Sequence, residues 1–263
     1  MPVDTTGKIS LDHIYTQPDP RGYFGTLRKL DYHIPQLAKP YFADLIEEYR
    51  QARQVAIPTV LDIGCSYGIN AALLKCDVTM EELYGRYSGR AGISRDELLE
   101  QDRELTVNDR IRFFGLDTSG PALAYATEAG FLDGAIHADL ESTEPTERQR
   151  ALFAETDLVI STGCLGYVTE KTIAKVVHEG RPWMAHFVLR MFPFDPIAET
   201  LAAEGYETVR VDGVFKQRRF ATQEEQSLVL DTLSAVGVDP HGLETDGWFY
   251  AQLHISRPER GLN

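Results

Sequence analysis

Short uninterrupted apolar runs alternate along this chain with segments whose apolar residues recur every three or four positions. The runs are Thr59 to Gly64, Arg112 to Asp117, Gly134 to Ala138, Asp157 to Ser161 and Trp183 to Leu189. Each predicts a strand, and Thr59 to Gly64 and Asp157 to Ser161 read in addition as buried, as in a parallel sheet. Helical spacing predicts helices over 37–54, 120–129, 170–179, 194–204 and 222–236. In the first, Leu37, Tyr41, Leu45, Ile46 and Tyr49 form the stripe, while Glu47, Glu48 and Arg50 fall outside it. A shorter helix passes through Ile69 to Leu74. Residues 206–215 read as extended, and Trp248 to Ile255 as a last strand. Strand and helix alternate, so the expected fold class is α/β, with a Rossmann-like, mainly parallel sheet flanked by helices.

Two stretches break the alternation. Residues 1–35 are rich in aromatics and turn residues, including Tyr15, Tyr23 and Phe24. The chain is therefore read as an N-terminal helical lead or lid over 1–55 and a main domain over 56–263. Residues 77–110 are strongly polar and predict two short helices, 79–87 and 94–105, the second opened by a capping box of Ser94 and Glu97. They form an insertion between the first helix and the second strand. Part of an acceptor pocket and a solvated ornament stand as equal readings of it. A helix-containing segment, 216–247, separates the last two strands.

The sharpest local signal is Val60-Leu61-Asp62-Ile63-Gly64-Cys65-Ser66-Tyr67-Gly68. A buried strand ends in a turn with two glycines, and a helix starts at once. Such a turn presents backbone N–H groups to a polar ligand. Its glycine spacing, G-x-x-x-G, is not the G-x-G-x-x-G of a dinucleotide site. Asp62 at the strand end would repel a pyrophosphate and attract an amino or sulfonium group.

This segment resembles motif I of class I S-adenosylmethionine-dependent methyltransferases, with Ser66 where that family usually has glycine. The resemblance continues in order. Gly115-Leu116-Asp117-Thr118-Ser119 is similar to the second-strand end, whose acid holds the ribose hydroxyls. Ala138-Asp139-Leu140 is similar to the adenine-recognition turn. Asp157 to Gly163, including Ser161 and Thr162, is similar to motif IV. It covers roughly 60–190 well and the flanks loosely. It implies S-adenosyl-L-methionine as cofactor and S-adenosyl-L-homocysteine as product. The implied cofactor residues are Asp62, Gly64, Cys65, Ser66, Gly68, Asp117, Thr118, Asp139, Leu140, Ser161 and Thr162. Taken singly, each has a plain alternative: Asp117 as a helix cap, Asp139 as a loop acid.

Charge narrows the partners. Forty acidic against 26 basic residues give a formal net charge of −14. A protein that neutralises phosphates needs clustered Lys and Arg, so neither nucleic acid nor an anionic membrane surface is expected as partner. The expected partner is a small-molecule methyl acceptor, with O- or N-methylation as the default and a monomer or homodimer as the assembly. Three cysteines without a CxxC pair suggest reduced thiols and a cytoplasmic location; no metal is expected. The tip, Met1 to Leu11, has no apolar h-region, so no signal peptide is read there.

Methyl transfer is an in-line displacement that depends mainly on alignment, and needs a base only when the acceptor must lose a proton. His186, Tyr167 and Arg190 are the candidates for acceptor chemistry. The rival readings are a core histidine, a packing tyrosine and an ion-paired arginine. His137 and His178 are weaker candidates. Cys164 has no paired base and reads as a small apolar residue. Phe215, Arg218, Arg219 and Phe220 are a further acceptor candidate, against a surface salt-bridge cluster with Glu224 and Glu225. Tyr15, Tyr23 and Phe24 are placed either closing over the donor, since aromatic faces attract a sulfonium, or packing as a lead. The alternative function is an S-adenosylmethionine-binding protein of the same fold with a non-methylating or regulatory role. A nicotinamide oxidoreductase is disfavoured by the glycine spacing and Asp62, and a nucleic-acid methyltransferase by charge.

Overall fold

The computed structural model describes residues 8, 11–90, 92–105 and 107–259. The reading of the N-terminal tip therefore lies, apart from Lys8 and Leu11, outside the described residues, as do Ala91 and Thr106 of the insertion and the last four residues. Eight strands form one sheet: β1 (Thr59–Ile63), β2 (Arg112–Asp117), β3 (Gly134–His137), β4 (Leu158–Thr162), β5 (Trp183–Leu189), β6 (Tyr206–Arg210), β7 (Phe215–Arg219) and β8 (Trp248–Pro258). Their order is β3-β2-β1-β4-β5-β8-β6, with β7 also paired to β8. The first five are parallel, and the pairings with β8 are antiparallel. Chain order runs outward from β1 to β3 on one side, then returns to β4 on the other. The β1–β4 boundary is thus the topological switch point, beside which ligands of such sheets bind.

The central strands β1, β4 and β5 are buried almost throughout because both faces are covered, whereas β3 at the sheet edge is partly exposed. Val60, Ile160, Ala185 and Phe187 pack on one side, with α1 (Asp12–Tyr15), α2 (Arg21–Arg28), α3 (Ile34–Arg53), α4 (Ile69–Lys75), α5 (Met80–Tyr87), α6 (Arg95–Arg103) and α7 (Gly120–Glu128). Leu61, Val159, Met184 and Val188 face the other side, against α8 (Glu147–Ala154), α9 (Glu170–Glu179) and α10 (Asp195–Ala203). Neighbouring residues of one strand alternate between the two cores, as the pleat requires. A smaller cluster seats Val229 and Leu233 of α11 (Gln223–Ala235) on Leu189, Met191 and Phe249.

The lead shares the core of the sheet. Phe24 stacks on Tyr87 of the insertion at 4.8 Å, and Tyr23 meets Tyr67 edge-on at 5.8 Å. Tyr87 and Tyr125 both donate to Asp102 Oδ2, at 2.8 and 2.7 Å, which fixes α6 to α5 and α7. Both insertion helices open with complete capping boxes, Thr79 with Glu82 and Ser94 with Glu97.

The sequence pattern differs from the structure in four places. The helix read from residue 37 begins at Ile34, where Pro35 suits the first turn and lacks the N–H a later position would need. Helix α8 escaped the pattern because it buries only Phe153. The extended reading of 206–215 merges two strands that Gly213, with φ +102°, separates. Strand β7, rich in Lys and Arg, reads as a charge cluster. Its register on β8 shifts between Lys216 and Arg219, so no simple alternation marks it.

Candidate functional site

Strand β1 is wholly buried, and its last turn is built for contact. Gly64, Ser66 and Gly68 have φ of +69°, +50° and +72°. A Cβ on Gly64 would lie 2.5 Å from Cys164 Cβ, so only glycine lets this turn touch the turn after β4. A Cβ on Gly68 would lie 3.1 Å from Ala126 Cβ, where α4 closes on α7. The Ser66 N–H donates to Asp117 Oδ2 and the Ser119 N–H to Asp117 Oδ1, each at 2.8 Å. One carboxylate thereby ties the β1 and β2 turns together. Each of its oxygens still has a lone pair for a hydroxyl donor.

Asp62 is fully buried, and burial pushes its carboxyl up to about 8 against the opposing hydrogen bond from Asn70. Asn70 Nδ2 lies 3.1 and 3.2 Å from the two Asp62 oxygens and 3.2 Å from Thr162 Oγ1. The Cys164 thiol lies over Gly64 and donates to the Ile63 carbonyl at 3.1 Å. Burial pushes it up to about 12, so it remains a thiol at neutral pH. Cys65 is buried beneath the turn, and burial raises its thiol well above the ordinary value. Asp62, Gly64, Cys65, Ser66, Gly68, Asp117 and Thr162 thus form one neighbourhood at the switch point.

The other candidates spread outward from it. Thr118 is exposed, and its carbonyl lies 2.9 Å from His137 Nε2. Asp139 is exposed; the Ser142 hydroxyl, donating at 2.6 Å, holds its carboxyl below the usual range. Leu140 is buried beside it. Ser161 and His186 are both buried inside the sheet, paired at 2.8 Å through the hydroxyl and Nδ1. Burial, reinforced by His254, pushes His186 down to about 3, so its ring is neutral. Arg190 is ion-paired to Glu244 at 2.6 Å and donates to the Asp239 carbonyl at 2.7 Å, holding the turn before β8. Tyr167 is 45% exposed, with the Lys8 ammonium 4.7 Å from its ring centre. His178 is exposed at the end of α9. Arg218 is not on the surface: it forms a buried two-point pair with Glu225, at 2.7 and 3.0 Å. Arg219 pairs in the open with Asp31.

Several contacts of this neighbourhood carried no sequence signal. Tyr67 donates to the Ile14 and Gln17 carbonyls, at 3.0 and 2.9 Å, and Ser119 to that of Tyr15. The lead is thereby latched to both turns. Gln217 of β7 reaches the turn after β4, where a Cβ on Gly163 would lie 2.3 Å from its Nε2. The buried side-chain atoms without a hydrogen-bond partner among the described residues include three oxygens at or beside these turns, Ser66 Oγ, Asn70 Oδ1 and Gln217 Oε1, and others elsewhere, such as Ser88 Oγ and the Tyr206 hydroxyl. Buried polar atoms are normally paired, and these three suit a ligand that brings hydrogen-bond donors. Two open grooves, between α2 and the end of α5 and along α5 and α6, lie apart from these turns. Among the described residues, no group of His, Cys, Asp or Glu is arranged to hold a metal, and no helix is long and apolar enough to cross a membrane.

Fold and site together define a Rossmann-like α/β protein with a glycine turn and an acid at the switch point. No protein-family model matches the chain, and no curated protein does. Among solved structures it is similar to magnesium protoporphyrin IX methyltransferase from Synechocystis PCC 6803, with bound SAM, at 11% identity and a TM-score of 0.41, over 82% of this chain and 78% of that one. It is similar to the plantazolicin methyltransferase BpumL in complex with SAH and a monoazolic desmethylPZN analogue, at 11% identity and a TM-score of 0.44, over 86% of this chain and 85% of that one. It is also similar to a precorrin 8w decarboxylase from Methanobacterium thermoautotrophicum, at 11% and 0.39, over 81% and 90%. These likenesses are remote and assign no activity to this chain.

Proposed function

We propose that this protein is an S-adenosylmethionine-dependent methyltransferase acting on a small-molecule acceptor. The observation that supports it most is the tie between Ser66 and Asp117. It brings the glycine turn of β1 and the terminal acid of β2 together beside the switch point. In this reading Asp62, Gly64, Cys65, Ser66 and Gly68 shape the donor turn, and Asp117 receives the ribose hydroxyls. Thr118, Asp139 and Leu140 border the adenine, and Ser161 and Thr162 lie at the β4 end. When bound, the cofactor supplies an electrophilic methyl group on a sulfonium. The protein's part is alignment and exclusion of water, with the lead as cover.

Tyr167, exposed on the turn after β4, is the residue we place against the acceptor. His186 stands too deep in β5 to reach a ligand directly and would act only by orienting Ser161. Arg190, paired with Glu244 and bonded to the Asp239 carbonyl, would act only by supporting the turn before β8. The net charge of −14 disfavours polyanionic acceptors, and the proposal extends to a cytoplasmic monomer or homodimer.

The test is incubation with methyl-labelled S-adenosylmethionine and a panel of small phenols, amines and carboxylic acids. Transfer of label with matching formation of S-adenosylhomocysteine is expected. Binding of the cofactor with cleavage to other products, or no turnover on any class, would oppose it.

A further inference from the structure

We infer that Gln217, contributed by the extra strand β7, binds the amino-acid arm of the adenosyl ligand. The inference rests on the proposed cofactor and extends it to a residue outside the glycine turn and the strand ends.

Three observations converge. Gln217 is only 5% exposed although it lies on a short strand flanked by Lys216, Arg218 and Arg219. Its backbone is held in place, since its carbonyl accepts the His33 N–H at 3.1 Å and the next-but-one residue, Arg219, donates to Leu30. The side chain is thereby directed at Gly163, whose φ of +76° and missing Cβ make room for the amide. Gly163 adjoins Cys164, and Cys164 lies on Gly64. The Gln217 amide therefore stands one residue away from the glycine turn, across the β4 end.

The chemistry of the unpaired atoms selects the group. Gln217 Oε1 and Asn70 Oδ1 are acceptors without partners, and the unpaired Ser66 hydroxyl can also accept. An anion offers these three oxygens no donor, and a neutral amine or amide offers at most two. An ammonium brings three donors and a positive charge. The adenosyl ligand carries its ammonium at the end of its amino-acid arm, whereas its adenine and ribose offer no cation. Gln217 is a binding and positioning residue here and takes no part in bond making.

The test compares two probes on the full chain. S-adenosylhomocysteine has the amino-acid arm; methylthioadenosine has the same nucleoside and lacks it. Gln217→Met keeps length and bulk and removes the amide, while Gln217→Glu keeps an acceptor oxygen at the same place. Calorimetry is expected to show roughly tenfold or greater loss of S-adenosylhomocysteine affinity in Gln217→Met, the usual scale for a hydrogen bond to a charged group. Methylthioadenosine should bind that variant as it binds wild type, and Gln217→Glu should restore the homocysteine derivative. Equal binding of S-adenosylhomocysteine by wild type and Gln217→Met would overturn the inference and leave the cofactor assignment intact. Equal loss of both probes, or a variant that binds neither, would overturn it by placing Gln217 in the fold. Failure of wild type to bind either probe would instead overturn the proposed function on which it rests.

Discussion

Gly64 carries more of the site than any other single residue. Its left-handed backbone and its contact with Cys164 each exclude a side chain, and the two penalties act at one position. Gly64→Ala is expected to destabilise the fold by about 2 kcal/mol or more, read as a shift of the urea midpoint at unchanged slope. Asp62 carries a pH signature. Its folded value, about 8, lies above the ordinary 3.8, so between these limits the folded state holds a proton that the unfolded state has released. Its contribution therefore falls as pH rises through that window, by up to ~1.4 kcal/mol per pH unit. Asp62→Asn should flatten the fall, and unfolding measured across the window checks it; parallel curves for the two proteins would refute the burial argument. The turn itself was legible in the chain, because a short apolar run closed by Gly64 and Gly68 predicts a strand that ends in a tight turn. Asn70 and Gln217 were not legible. An amide gives no periodicity or charge signal, and its value here comes from neighbours distant in sequence.

At the scale of elements, the alternation of apolar runs and helical stripes exposed the parallel half of the sheet because burial on both faces leaves an unmistakable pattern. The C-terminal half was less readable. Strand β8 pairs with β5 along one edge and with β6 and β7 along the other, so its residues answer to three neighbours. The charge cluster on β7 turned out to be partly a buried joint. Arg218 and Glu225 are almost sealed from solvent, and Glu225 also accepts the Ala221 N–H at 2.8 Å, anchoring the start of α11. Removing one partner leaves the other charge buried without its counterion. Arg218→Met is expected to cost about 3–5 kcal/mol, and the double change Arg218→Met with Glu225→Leu distinctly less. Chemical unfolding of the two proteins checks this, and equal losses would contradict it.

Across the whole molecule, the lead, the insertion and the sheet meet in one aromatic core, with the lead latched over the turns that the proposal assigns to the donor. Tyr67, Ser119 and Arg95 all donate to lead carbonyls between Ile14 and Pro18. A ligand bound beneath the lead should slow amide exchange across α1, α2 and their connection; unchanged exchange at saturating S-adenosylhomocysteine would mean that the lead is only packing. That arrangement could not be read from the sequence, since aromatic residues in a lead are equally consistent with either role. The central claim is the adenosyl site at the switch point, and its most direct test is calorimetric titration with S-adenosylmethionine, S-adenosylhomocysteine and NADH, on wild type and Asp117→Asn. Micromolar binding of the two adenosyl ligands, weakened at least tenfold in the variant, and no binding of NADH is the predicted result. Binding of NADH alone, or no adenosyl binding by the folded protein, would contradict the account.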